Sequence, residues 1–144
     1  MAKTLVRHVM SSPVEVLQVG DSLDLARTLM VEKGSIRHLP VIDGDEQLVG
    51  LVTHRTIVGA WVSHGDPDHE TLRDVARRIP VELLMEKDVL STWPEAPAAD
   101  VAGLMEKHRI GCLPVLDDGK VIGIVTESEF VRFARLYFER QDGT

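Results

Sequence analysis

The sequence predicts a mixed α/β (α+β) fold in which one β-α-β-β-α unit is written twice in tandem. Three observations point there. Residues 39–53, LPVIDGDEQLVGLVT, return at 113–126 as LPVLDDGKVIGIVT, with one residue gained or lost in the turn. Ahead of each copy runs an amphipathic stretch carrying Leu-Met (Leu29-Met30 and Leu104-Met105), and after each comes a second helix-like stretch. Apolar residues make up 44% of the 144, enough for a buried interior. A unit of about sixty residues buries too little surface to be secure alone, so the two are expected to pack with pseudo-two-fold symmetry, sheet facing sheet.

The elements follow in order. VRHVM (6–10) and VELLM (81–85) are short amphipathic turns ending in Met. VEVLQV (14–19) and VLST (89–92) are β-like; in the first, the valines favour one buried face and Glu15 points outward. In DSLDLARTLMVEK, Asp21 or Ser22 can cap a helix whose Leu23, Ala26, Leu29 and Met30 form one stripe. APAADVAGLMEKH repeats the spacing with Ala98, Val101, Leu104 and Met105, and Pro97 sits in the first turn, where a missing N–H does least harm. LPVI and LVGLV, then LPVL and VIGIV, read as strand pairs joined by DGDEQ and DDGK, because Asp-Gly between short apolar runs is a hairpin signal. Runs apolar at every position imply burial on both faces. Helices from Thr53 to about Val62 and from Thr126 to about Phe138 close the units. The predicted divisions are repeat 1 over 1–62, a linker with one short helix over 63–79, and repeat 2 over 80–144. In that linker Leu72, Val75, Ala76 and Ile79 keep helical spacing up to Pro80.

Composition narrows the functional classes. The net charge of −7 disfavours nucleic acid as the main partner. Cys112 is the only cysteine, which agrees with a reducing compartment, and in its apolar setting it reads as a small core residue. No apolar run approaches the roughly 18–20 residues that cross a bilayer, and the N-terminus lacks the apolar core of a signal peptide, so the expected location is the cytoplasm.

Taken together, the ordered pattern of Met, short strand, helix with Leu-Met, LPV-I/L-D, turn, G-h-V-T and helix resembles the CBS domain. Two in tandem are similar to a CBS pair, or Bateman module, and the resemblance covers roughly 6–62 and 80–138. It implies a regulatory module that binds an adenosyl compound (AMP, ADP, ATP, S-adenosylmethionine or NAD) between the units and acts on another protein. It implies no required cofactor and no chemistry of its own. The expectation is a stand-alone sensor, or alternatively a ligand-free dimerising scaffold with degenerate sites.

The family's nucleotide signature is G-h-x-T-x-x-D, with Thr toward phosphate and Asp toward the ribose hydroxyls. A carboxylate suits the second task because each oxygen can take one O–H donor. The first copy reads GLVTHRT, keeping Thr53 but placing Thr56 at the Asp position. The second reads GIVTESE, keeping Thr126 and placing Glu129 there. The second site is therefore expected to be the better one, although T-x-x-E at a helix start is also a capping box that needs no ligand. Residues ahead of the LPV strands are implied to line the clefts: Ile36, Arg37 and His38, and Ile110, Gly111 and Cys112, with Pro114 in the second strand. Leu90 adds an apolar wall in the second copy, where the first has Glu15. Arg37, His38, His54, Arg55, His108 and Arg109 could offer donors to phosphate.

Two other features carry less. His64, Asp66, Asp68 and His69 match no metal-site spacing, and no Walker, G-x-S-x-G or dinucleotide fingerprint occurs, so neither a metal site nor an enzyme is expected. The last helix, SEFVRFARLYFERQ, has a core stripe of Phe130, Phe133 or Ala134, and Tyr137, with Val131, Leu136 and Phe138 left on other faces. The resemblance implies a two-fold homodimer built through such helices, and a helix apolar on more than one side fits that contact.

Overall fold

The computed structural model describes residues 2–34, 36–63 and 69–143. In chain order its elements are α1 (Val6–Val9), β1 (Leu17–Gln18), α2 (Leu23–Lys33), β2 (His38–Ile42), β3 (Leu48–Thr53), α3 (His54–Ser63), α4 (His69–Ala76), a 3-10 turn (Val81–Leu83), α5 (Ala98–His108), β4 (Cys112–Asp117), β5 (Lys120–Thr126) and α6 (Glu127–Gln141). The mixed α/β content and the doubled order agree with the sequence.

The chain forms two compact units, one of residues 15–89 and the other of 1–14 with 90–144. These units are not the sequence repeats. The segment that begins each repeat packs in the unit of the other repeat, and the reason is visible at the sheet edges. In the 15–89 unit, β1 pairs parallel with β2, and β2 pairs antiparallel with β3. The outer edge of β3 then takes the chain at Glu86 through two bonds, Leu51 N–H to the Glu86 carbonyl at 2.9 Å and the reverse at 2.8 Å. In the other unit β4 and β5 form the hairpin. The outer edge of β5 takes the N-terminal segment: Ser11 N–H donates to the Ile124 carbonyl at 2.9 Å, and Ile124 N–H returns the bond at 3.0 Å. An open strand edge is thereby covered in each unit.

This edge pairing explains how proline fits inside both hairpins. Pro40 lies opposite Leu51, and Pro114 opposite Ile124. Leu51 and Ile124 direct their own N–H and C=O groups outward, to Glu86 and Ser11, so neither needs a donor from the proline. Gly50 and Gly123 allow the close approach. A Cβ on Gly123 would stand 2.8 Å from the Ser11 carbonyl oxygen, and one on Gly50 would stand 2.9 Å from that of Glu86. The methionines that end the two short turns pack over these glycines, Met10 over Gly123 and Met85 over Gly50.

Elsewhere the local chemistry follows the sequence. Ser22 caps α2 by accepting the Leu25 N–H at 3.0 Å. The second hairpin turns through Asp118 and Gly119, both at positive φ (53° and 81°), which is the geometry Asp-Gly favours in a two-residue loop. In the longer first turn, one carboxylate oxygen of Asp43 accepts from the N–H groups of Asp45 and Gln47 at 2.8 and 3.0 Å. Leu17, Leu23, Ala26, Met30, Leu39, Val41, Val52, Ile57, Ala76 and Val81 form one core, and Val6, Ala96, Val101, Met105, Leu113, Val115 and Val125 form the other.

Three local expectations are corrected. VLST does not form a strand; a single bridge from Thr92 to Val115 replaces it, and the chain then turns through Pro94-Glu95, the Ala96 N–H donating to the Trp93 carbonyl at 3.1 Å. The valine-rich stretch before α2 is regular only at Leu17–Gln18. Tyr137 was expected on the core side of α6, but it is 53% exposed within the chain, and no residue of α6 is fully buried. Val131, Leu136 and Phe138 are exposed beside it.

Candidate functional site

In the 15–89 unit the strand pair β2–β3 ends with His38 opposite Thr53, and α3 starts at the next residue. The chain before β2 is held to that helix start by a bond from the His54 N–H to the Arg37 carbonyl, 2.8 Å. These connections put one strand end, one helix N-terminus and one loop around an open cleft of ≈ 390 Å³, lined by Arg37, His38, Thr53, His54, Arg55 and Val58. Arg37 Nη1 lies 3.4 Å from His54 Nδ1. A guanidinium can only donate, so Nδ1 is the acceptor there. The Thr53 hydroxyl accepts the Thr56 N–H at 3.1 Å and shares a hydrogen with the Thr56 hydroxyl at 3.0 Å. Thr53 thus both caps α3 and faces the cleft.

Five of the residues named from the sequence meet here. Thr56 holds Thr53 and does not line the cleft, and Ile36 packs against the core of its unit. Val58 lines the cleft and was not foreseen. It stands four residues after His54, on the same helical face, and that periodicity was the available signal.

The other unit differs at the matching positions. Cys112 lies opposite Thr126, as His38 lies opposite Thr53. Cys112, Pro114 and the Ile110 side chain belong to the interior or pack against it, Gly111 is half-buried, and Leu90 is 47% exposed. Glu129, the acid that made this copy look the better one, is engaged within the protein. One of its oxygens accepts the Ser11 hydroxyl at 2.8 Å, and the other accepts the Thr126 N–H at 2.8 Å and the Thr126 hydroxyl. This is the reciprocal capping box. Burial alone would push the Glu129 carboxyl up, but the bonds from Thr126 and Ser11 outweigh it and hold it below the ordinary value. The two signature residues of this copy, Thr126 and Glu129, are each other's partners.

His64, Asp66 and Asp68 lie outside the described residues, as does the side chain of His69. Among the described residues no group of three or more His, Cys, Asp or Glu side chains is placed to hold a metal ion. Among them, too, no helix is long and apolar enough to cross a membrane.

Two units built on the same hairpin, each closed by an edge segment and flanked by helices, define a tandem-repeat α/β module. The family model described as "CBS domain" matches residues 6–63 and 81–135, and the chain belongs to that family as a CBS pair. A candidate acetoin utilization protein from Vibrio cholerae has a crystal structure that superposes with a TM-score of 0.82 at 32% identity, covering 99% of this chain and 98% of that one. The CBS pair of protein MJ0100, solved with 5′-methylthioadenosine and S-adenosyl-L-methionine, gives a TM-score of 0.76 at 28% identity, covering 92% and 96%. CBSX2, solved with AMP, gives 0.76 at 31% identity, covering 92% and 97%. Among curated proteins, homoserine O-acetyltransferase of Methanohalobium evestigatum is 33% identical over 133 residues, spanning 92% of this chain. The chain spans only 24% of that relative's length.

Proposed function

We propose that this CBS pair is a regulatory module that binds an adenosyl ligand (AMP, ADP, ATP, S-adenosylmethionine or NAD) and passes the bound state to a partner protein. The observation that carries the reading is the open cleft at β2, β3 and the start of α3. It gathers donors for a polar ligand, and Val58 supplies apolar surface. The adenosyl ligands of MJ0100 and CBSX2 support the choice of ligand class. Binding acts by favouring one arrangement of the protein over another, and the partner reads that arrangement. The module catalyses nothing itself and works in the cytoplasm. It forms a homodimer to which the exposed apolar residues of α6 contribute.

One observation favours a second reading, a dimerising scaffold without ligand: Thr126 and Glu129 satisfy each other and Ser11. A thermal-shift panel of AMP, ADP, ATP, NAD and S-adenosylmethionine separates the two. Ligand at a hundredfold above Kd adds about 2.7 kcal/mol. For a chain of this size the midpoint should rise by about 5–10 °C. No shift with any adenosyl compound supports the scaffold. Light scattering at micromolar concentration tests the dimer, and a monomeric mass removes it from either reading.

A further inference from the structure

We infer that the cleft selects the phosphate-bearing members of the adenosyl class, that the matching face of the other unit rejects them, and that one chain takes one such ligand. This deepens the regulatory reading above and rests on it. The two units present the same framework, a strand end paired to a Thr that begins a helix, with different side chains around it. In the repeat register Arg37 corresponds to Gly111, His38 to Cys112, His54 to Glu127, Arg55 to Ser128 and Val58 to Val131. The first set carries two permanent cations and two imidazoles around a measurable cleft, with no acid among its lining residues. The second set carries no cation, the basic His108 and Arg109 standing ahead of it at the end of α5, and it begins its helix with Glu127, followed by Glu129.

The start of α3 adds the positive end of a helix dipole to the arginines, so its field favours an anion. The start of α6 has the same dipole, but Glu127 and Glu129 already complement it, and a phosphate there would meet two like charges. The Glu129 carboxylate is also occupied by Thr126 and Ser11, which removes an acceptor for sugar hydroxyls from that side. Charge and hydrogen bonding therefore point the same way. S-adenosylmethionine offers Arg37 and Arg55 a single carboxylate, offset by its sulfonium and ammonium charges, whereas a nucleotide brings one or more phosphates whose oxygens can each accept from a guanidinium.

Calorimetric titration of the whole chain with ATP, AMP, adenosine, S-adenosylmethionine and tripolyphosphate tests this. The expected result is one ATP or AMP per chain, bound at least about tenfold more tightly than adenosine, since bonds to charged groups are the strong ones. ATP affinity should fall as salt rises from 50 to 300 mM, on the order of several-fold. Arg37→Ala combined with Arg55→Ala should weaken ATP by about tenfold or more while leaving adenosine within about twofold. Arg55→Ala alone, at an exposed position, repeats the test if the double variant melts early. Equal binding of ATP and adenosine, tighter binding of S-adenosylmethionine than AMP, or two phosphorylated ligands per chain would overturn the selectivity and leave the adenosyl reading standing. Failure of every adenosyl compound to bind overturns both.

Discussion

Replacing Gly123 with alanine should destabilise the protein by about 2–3 kcal/mol, although it adds a single methyl group. The new Cβ would lie 2.8 Å from the Ser11 carbonyl oxygen and 2.9 Å from the Met10 sulfur. A carbon and a carbonyl oxygen in contact settle at about 3.3–3.6 Å, so the Ser11 backbone must withdraw by roughly half an ångström or more. The sulfur can swing aside, but Ser11 is tied to Ile124 by bonds of 2.9 and 3.0 Å. That withdrawal stretches both toward about 3.5 Å, where little strength remains. Overpacking of this kind costs about 1–3 kcal/mol, and each weakened backbone bond contributes up to about 1 more. Gly103 is the control. It lies exposed within α5, and a Cβ there meets nothing within 4 Å. Gly103→Ala should therefore stabilise the chain by about 0.5–1 kcal/mol through helix propensity and a less flexible unfolded state. Urea titration followed by circular dichroism measures both, with the two midpoints moving in opposite directions by about 1 M or more for Gly123→Ala and less for the control. Gly123→Ala within about 0.5 kcal/mol of wild type, or equal damage from both changes, would refute the edge-docking explanation.

Two further outcomes follow from local geometry. The Glu129 carboxyl is held below its ordinary value, so its contribution is present above the unfolded-state pKa of about 4.3 and is lost as pH falls through the lower folded value. Glu129→Gln should then cost about 1 kcal/mol at pH 7, with the gap to wild type closing in melts taken below about pH 4; a gap independent of pH would show that the charge is irrelevant. Arg109 ends α5 in the left-handed region at φ 54° and ψ 45°, where α2 ends on Gly34 at positive φ. Arg109→Gly should stabilise by about 0.5–1 kcal/mol in the same urea assay, and a loss of stability would mean the Arg109 side chain contributes more than its backbone costs.

Most of the fold could be read from the sequence because its signals are local. Asp-Gly specifies the tight second turn, Ser22 the start of α2, and the Leu-Met stripes the buried faces of α2 and α5. What could not be read is long-range. Nothing in MSSP announces that Ser11 will pair with Ile124 across the repeat boundary, since one strand-edge bridge leaves no periodicity. The glycines of the G-h-V-T motif are the trace it leaves, because each marks a backbone approach with room for no side chain. The site divides in the same way. The basic residues at 37, 38, 54 and 55 were visible as charges beside an expected cleft between the repeats, and in the structure they line an open cleft within the 15–89 unit. Glu129 was visible too, with two roles open to it, but its further partner Ser11 was not, because it is distant in the chain. Once Ser11 and Thr126 have satisfied that carboxylate, a ligand in the second unit must displace existing hydrogen bonds before forming its own. In the first unit both arginines are exposed, Arg37 reaching only the neutral ring nitrogen of His54, and no acid stands among the cleft residues, so a phosphate meets no like charge there. The two copies share a fold, and differences at four or five side chains suffice to give them opposite electrostatic character.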